Sequence, residues 1–217
     1  MNCGNLIDLS FPALQWTDTV GKAKDLIRAD GCLVVLQDHQ FKGLLYAEDL
    51  EDVADTLTLA SCLNYYTLTF VSESDFFLTA LRKMREQQVP FLPVVSLSGE
   101  YLGVLTQEAL IDTLSQYLSA GDPGGVIILQ MVPHQFSISE IGRIVESNNA
   151  KILHLTTWTD TATGMLMVSM KVNKIDIQDI LASFERYQFT VSQYFGENLS
   201  EETLKSNFDN LMNYLRM

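Results

Sequence analysis

The chain has 217 residues, enough for one large or two modest domains with buried cores, and its 47% apolar and 19% charged residues strike the balance of a globular protein and exclude a disordered one. Fourteen Lys and Arg against 27 Asp and Glu give a formal net charge of -13, which opposes binding to nucleic-acid backbones and anionic membranes. Lys22, Lys24 and Arg28, spread along one helix, form a solvated face and not a basic patch. Cys3, Cys32 and Cys62 lie far apart without a C-x-x-C pair, so neither a disulfide framework nor a zinc site is expected. The start, MNCGNLIDLSF, lacks a basic leader followed by a continuous apolar stretch, and no apolar run approaches the roughly 20 residues of a membrane span. The expectation is a soluble, cytoplasmic protein that touches neither nucleic acid nor membrane.

Residues 1–16 carry two short apolar patches, Leu6-Ile7 and Phe11 to Leu14. From Thr17 the pattern turns helical, with Asp18 or Thr19 as N-cap, Val20, Ala23, Leu26 and Ile27 at helical spacing, and Gly31 as the stop. Cys32 to Leu36 and Phe41 to Tyr46 read as paired strands about a turn at Asp38 to Gln40, and Glu48 to Ala54 as a second helix. The same order returns further on. Phe77, Ala80 and Met84 repeat the spacing of Val20, Ala23 and Ile27, Leu92 to Val95 repeats Leu33 to Leu36, and Gly103-Val104-Leu105 repeats Gly43-Leu44-Leu45, with loops lengthened by three residues. Pro93 cannot donate to a ladder, so its place is expected at a strand start or on an edge. Gly103 and Thr106 stand three apart where the second strand feeds the next helix, a place where an anion or a ribose could rest.

Leu92, Pro93, Val94, Val95, Gly103, Val104, Leu105 and Thr106 resemble the closing half of a CBS domain, Leu-Pro-Val-Val, a turn, then Gly-apolar-apolar-Thr-x-x-Asp. The Asp position holds Ala109. The resemblance implies a tandem CBS pair over 1–118, with repeats at about 1–58 and 59–118, two clefts between the repeats, and homodimerisation. In CBS pairs that bind adenosine nucleotides the closing Asp takes the ribose hydroxyls and the Thr or Ser lies near the phosphate. Carried onto this chain, the first repeat has Asp49 with Tyr46 in place of Thr, and the second has Thr106 with Ala109 in place of Asp. Asp49, Tyr46, Thr106, Val94 and Pro93 are thus the candidate ligand-binding residues, with Asp49 the better ribose partner.

Ser119 to Gly125, SAGDPGG, breaks both periodicities and reads as a linker. Beyond it come a strand at Val126 to Val132, a helix over 138–147 behind a Ser137/Glu140 capping box and ended by Asn148-Asn149, and strands at Lys151 to Thr159 and Met165 to Val172. A helix over Asp176 to Tyr187 capped by Asn173 and a strand at Thr190 to Phe195 complete the set. The third strand is apolar on both faces and is expected inside the sheet. This βαββαβ order over 126–198 is ferredoxin-like and resembles an ACT domain. Pro133 to Ser137 departs from the Asp-x-Pro-Gly-like turn of amino-acid-binding members. Residues 199–217 read as an amphipathic helix with Leu204, Phe208, Leu211, Met212 and Leu215 on one stripe. The fold class is thus α/β (α+β): a CBS-domain pair, a ferredoxin-like ACT-like domain and a C-terminal helix.

His39, His134 and His154 share no ligand or catalytic spacing, and there is no nucleophile elbow, Walker loop or dinucleotide fingerprint, so neither enzyme chemistry nor a metal or cofactor is expected. The layout resembles the accessory proteins of acetoin utilisation. It implies a regulatory protein that senses a small molecule such as AMP through a change in the angle between repeats and acts on an unidentified protein partner. The alternatives are an interaction scaffold without ligand and an amino-acid-sensing ACT regulator.

Overall fold

The computed structural model describes residues 1–27 and 31–196. Arg28 and the helix expected over 199–217 lie outside the described residues. The chain divides into two compact units, Met1–Leu114 and Ser115–Met217.

In the first unit, β1 (Ala13–Gln15), β2 (Cys32–Gln37) and β3 (Gln40–Tyr46) form one sheet in that order, and β4 (Val71–Ser72), β5 (Phe91–Val95) and β6 (Tyr101–Thr106) form another. The outer pair is parallel and the hairpin antiparallel in both, and the bulge falls at the same place, Val35/Leu36 and Val94/Val95, with Gly43 facing Val35 and Gly103 facing Val94. A shared irregularity at matched positions is a stronger mark of duplication than shared apolar patterning. Pro93 sits in the middle strand and not at an edge. Its paired neighbour there is Val104 of β6, and the two-residue β4 reaches only Val94 and Val95, so no ladder bond from β4 is asked of the missing N–H.

Helix α1 (Val20–Leu26) starts at Thr19, whose hydroxyl accepts from Lys22 N at 3.3 Å, and buries Val20 and Ala23. Helix α3 (Phe77–Gln87) buries Phe77, Ala80 and Met84 and ends at left-handed Gln88. The helix expected over Glu48 to Ala54 is shorter. Only Ala47–Leu50 (α2) is helical. Lys24 Nζ then holds the Val53 carbonyl at 2.8 Å and the Asp55 carboxylate at 2.7 Å, and the chain turns to lay Asp55 and Leu57 beside the start of α1.

The leading segment of each repeat completes the other. Asp8 exchanges two backbone bonds with Val104 of the second repeat, 2.8 and 3.1 Å, and Thr67 exchanges two with Leu44 of the first, 2.9 and 3.0 Å. Cys3 therefore belongs to the core of the second repeat, with Phe77, Leu92, Val94 and Leu105, while Leu59 and Cys62 belong to that of the first, with Val20, Leu33, Val35 and Leu45. Between the sheets lies a third cluster, Cys32, Val34, Leu36, Leu44, Phe91 and Val104. Strand β2 thus buries both its faces, which is why its sequence is uniformly apolar and does not alternate.

Helix α4 (Gln107–Tyr117) follows β6. In the second unit β7 (Val126–Met131), α5 (Ile138–Ser147), β8 (Ile152–Thr159), β9 (Leu166–Val172), α6 (Gln178–Arg186) and β10 (Thr190–Phe195) build an antiparallel sheet ordered β10-β7-β9-β8, the ferredoxin-like arrangement. Strand β9 is interior, as its two apolar faces require. Ile127, Leu129 and Met131 of β7 and Val168, Met170 and Val172 of β9 meet Ile141, Ile144 and Val145 of α5 and Ile180, Leu181 and Phe184 of α6. The Ser137 hydroxyl caps α5 by accepting from Glu140 N at 3.3 Å. Asn173 does not cap α6, whose N-cap position is Ile177; its side-chain oxygen accepts from Lys151 N at 2.7 Å and fixes the entry to β8 instead. Lys171 Nζ donates to the Ser119 and Ala120 carbonyls at the start of the glycine-rich stretch.

Candidate functional site

Two strand-to-helix junctions, one per repeat, carry the residues singled out in the sequence. In the first, β3 ends at Tyr46, opposite Cys32, and the backbone enters the single turn of α2 with Ala47 N donating to Gly31 O at 2.8 Å. Glu48 and Asp49 occupy that turn. Asp49 is half-buried, and among the described residues its carboxylate has neither a hydrogen bond nor an ion pair. Tyr46 packs against both the core of the second repeat and the cluster between the sheets. Burial pushes its hydroxyl pKa up, and the nearby Cys32, Asp49 and Glu48 push it the same way.

In the second junction Thr106 stands opposite Phe91 at the end of β6. Its hydroxyl accepts from Ala109 N at 3.2 Å and so caps α4. Pro93 and Val94 are buried, and Val94 is one of the side chains in the core of the second repeat. The structure therefore brings Tyr46 and Asp49 together at one junction and sets Thr106 at the head of a different helix.

Residues not singled out in the sequence shape the space around these junctions. Phe11 lies on Phe91 with ring centroids 4.2 Å apart and planes inclined at 51°. Beside it, Phe11, Pro12, Leu14, Leu26, Cys32 and Leu33 line an opening of about 10 Å³, room for about one water. Phe70, in the other leading segment, meets Phe41 at 5.8 Å, and Lys83 Nζ lies 5.6 Å from its ring and donates to its carbonyl at 2.8 Å. The three histidines stay apart: His39 in the β2–β3 turn, His134 in the turn Pro133–Gln135, and His154 in β8, packed edge-on against Tyr117 at 5.7 Å. Among the described residues no three His, Cys, Asp or Glu converge as metal ligands, and no helix is long and apolar enough to cross a membrane.

Residues 67–116 match the CBS domain family. No curated protein matches the chain. Among solved structures, a CBS domain pair/ACT domain protein from Thermotoga maritima is 25% identical, with 54% of this chain and 99% of the other covered and a TM-score of 0.50. The first unit has the fold of a CBS domain pair. The CBS domains of a transcriptional regulator from Streptococcus pneumoniae are 22% identical, with coverage of 52% and 98% and a TM-score of 0.47. CBSX2, solved in complex with AMP, is 20% identical, with coverage of 53% and 96% and a TM-score of 0.42. In this CBS-pair fold the two junctions are unequal: one offers a carboxylate without a partner among the described residues, and the other a hydroxyl already engaged by its own helix.

Proposed function

We propose that this chain is a regulatory, non-catalytic protein whose CBS pair senses an adenosine nucleotide at the Tyr46–Asp49 junction. The observation that carries this reading is the half-buried Asp49 carboxylate beside Tyr46, without a partner among the described residues, where one strand ends and a helix begins. A carboxylate accepts from two adjacent hydroxyls at once, which suits a ribose diol, and the tyrosine ring offers a base a stacking surface. The single turn of α2 gives little help to phosphate, and a net charge of -13 weighs against polyphosphates, so AMP or adenosine is favoured over ATP. Binding shifts the angle between the repeats, and a protein partner or the second unit reads that shift. The second unit is taken as ACT-like from its strand order and its place after the pair. Its β7–α5 connection, a turn at Pro133–Gln135 without glycine, speaks against amino-acid binding.

Isothermal titration and thermal shift with AMP, ATP, S-adenosylmethionine and a panel of amino acids test the reading. Saturable AMP binding that Asp49→Ala weakens supports it, and silence from every ligand overturns it. One observation favours a second reading, a scaffold without ligand: the opening beside Phe11 and Cys32 is only about 10 Å³, where ligand pockets run to about 300 Å³ or more. Asp49→Ala separates the two, since a scaffold keeps its ligand indifference while its assembly size changes.

A further inference from the structure

Strand β10, Thr190–Phe195, forms one rim of the second unit's sheet, and among the described residues no strand lies along its outer edge. Its sequence, TVSQYF, holds no lysine, no proline and no charge, the devices that ordinarily keep such an edge from pairing further; the other natural remedy is a segment laid over it. Val191 and Tyr194 stand opposite Leu129 and Ile127 of β7, so both share the face on which α5 and α6 pack. The helices do not reach far enough to cover it. Tyr194 is 47% exposed, and Phe195 beside it 60%. Between α6 and this rim runs a groove of about 440 Å³, with Leu181, Glu185, Val191, Tyr194 and Phe195 in its lining.

We propose that the chain's own end is the occupant: residues 199–217 seat the stripe Leu204, Phe208, Leu211 and Leu215 in the groove between α6 and β10. Position, length and charge all favour it. The chain leaves β10 at Phe195, itself part of the groove's lining, and the stretch from Gly196 to Leu204 is long enough to reverse direction. In a helix the stripe from Leu204 to Leu215 measures about 16 Å, and a strand the length of β10 about 20 Å, so a helix laid back along β10 covers its exposed rings. Glu202, Asp209 and Asn213 then fall on the opposite side, toward water. Running back along β10 carries Arg216 toward the start of that strand, where α6 ends and Glu185 lines the groove. The pair is of opposite charge, and the reverse direction would bring Glu201 and Glu202 there instead.

Amide hydrogen exchange of the full chain, read by mass spectrometry with circular dichroism to verify folding, tests this. A helix of this length with nothing to pack against is marginal in water, so slowed exchange across 199–217 in the wild type reports docking. Phe208→Asp is expected to speed that exchange on the order of 10-fold or more and to leave β9 as protected as before. Tyr194→Asp, on the groove side, is expected to do the same. Arg216→Glu and Glu185→Arg each speed it by about 2- to 5-fold, and the double variant regains the wild-type rate. Fast exchange across 199–217 in the wild type, or a rate indifferent to Phe208→Asp and Tyr194→Asp, overturns the inference. A double variant that stays fast overturns the direction of docking, and protection that disappears on dilution overturns the chain's own end as occupant in favour of a second copy's.

Discussion

Phe11 and Phe91, 80 positions apart in the sequence, lie ring against ring at 4.2 Å, so that the leading segment of the first repeat covers the start of a strand in the second. A nucleotide entering beside Cys32 must displace that contact. Phe11→Ala removes a half-buried ring and is expected to lower stability by about 2 kcal/mol, measured by urea denaturation, while tightening AMP binding by calorimetry. Unchanged affinity with the expected loss of stability would place the ligand elsewhere.

Gly103 marks where the crossing segment presses closest. A Cβ there would fall 2.2 Å from Ile7 Cγ2 and 2.8 Å from the Asp8 carbonyl oxygen, at φ +142, a backbone region that side chains rarely adopt. Gly103→Ala is expected to lower stability by roughly 3 kcal/mol, visible as a lower denaturation midpoint, with the Asp8–Val104 bonds lost first in amide hydrogen exchange.

The duplication was legible because its units are periodic. Val20/Ala23 and Phe77/Ala80/Met84 announce helices, and the glycines at 43 and 103 mark equivalent strands. The exchange of leading segments was not legible, since Asp8 finds Val104 and Thr67 finds Leu44 through isolated two-bond bridges that leave no local pattern. Leu50 ends α2 early for a related reason: Lys24 draws in the Val53 carbonyl and Asp55, a long-range tie that helix propensity does not register. At the candidate site, the placing of Tyr46 and Asp49 at one strand-to-helix junction was legible from the closing motif, but the aromatic contact beside them depends on the same unseen crossing.

Two tyrosines are expected to respond in opposite ways to loss of the hydroxyl. The Tyr101 hydroxyl is buried without a hydrogen-bond partner among the described residues, while that of Tyr66 donates to Leu59 O at 2.8 Å. Tyr101→Phe is expected to raise stability by about 1 kcal/mol and Tyr66→Phe to lower it by about as much, both read from denaturation at neutral pH. Burial lifts each pKa from 10.0 to about 12, with Asp8 adding to the lift at Tyr101 and Cys62 at Tyr66. The unfolded chain releases these protons near pH 10 and the folded chain only near 12, so stability is intact below pH 10 and falls as pH climbs between the two. Either Phe variant should flatten that alkaline fall.

Thr106 serves α4 directly. Thr106→Ala is expected to cost about 1 kcal/mol through the lost cap on Ala109 N, and Thr106→Ser to restore most of it. Thermal melts of the three proteins check the ranking.

The most direct measurement is calorimetric titration of AMP into the wild type and Asp49→Ala side by side. The expected result is one saturable site per chain in the wild type and an affinity lower by about 10- to 100-fold in the variant, the worth of hydrogen bonds to a charged group. No binding to the wild type, or equal affinity in both proteins, would contradict nucleotide sensing at this junction.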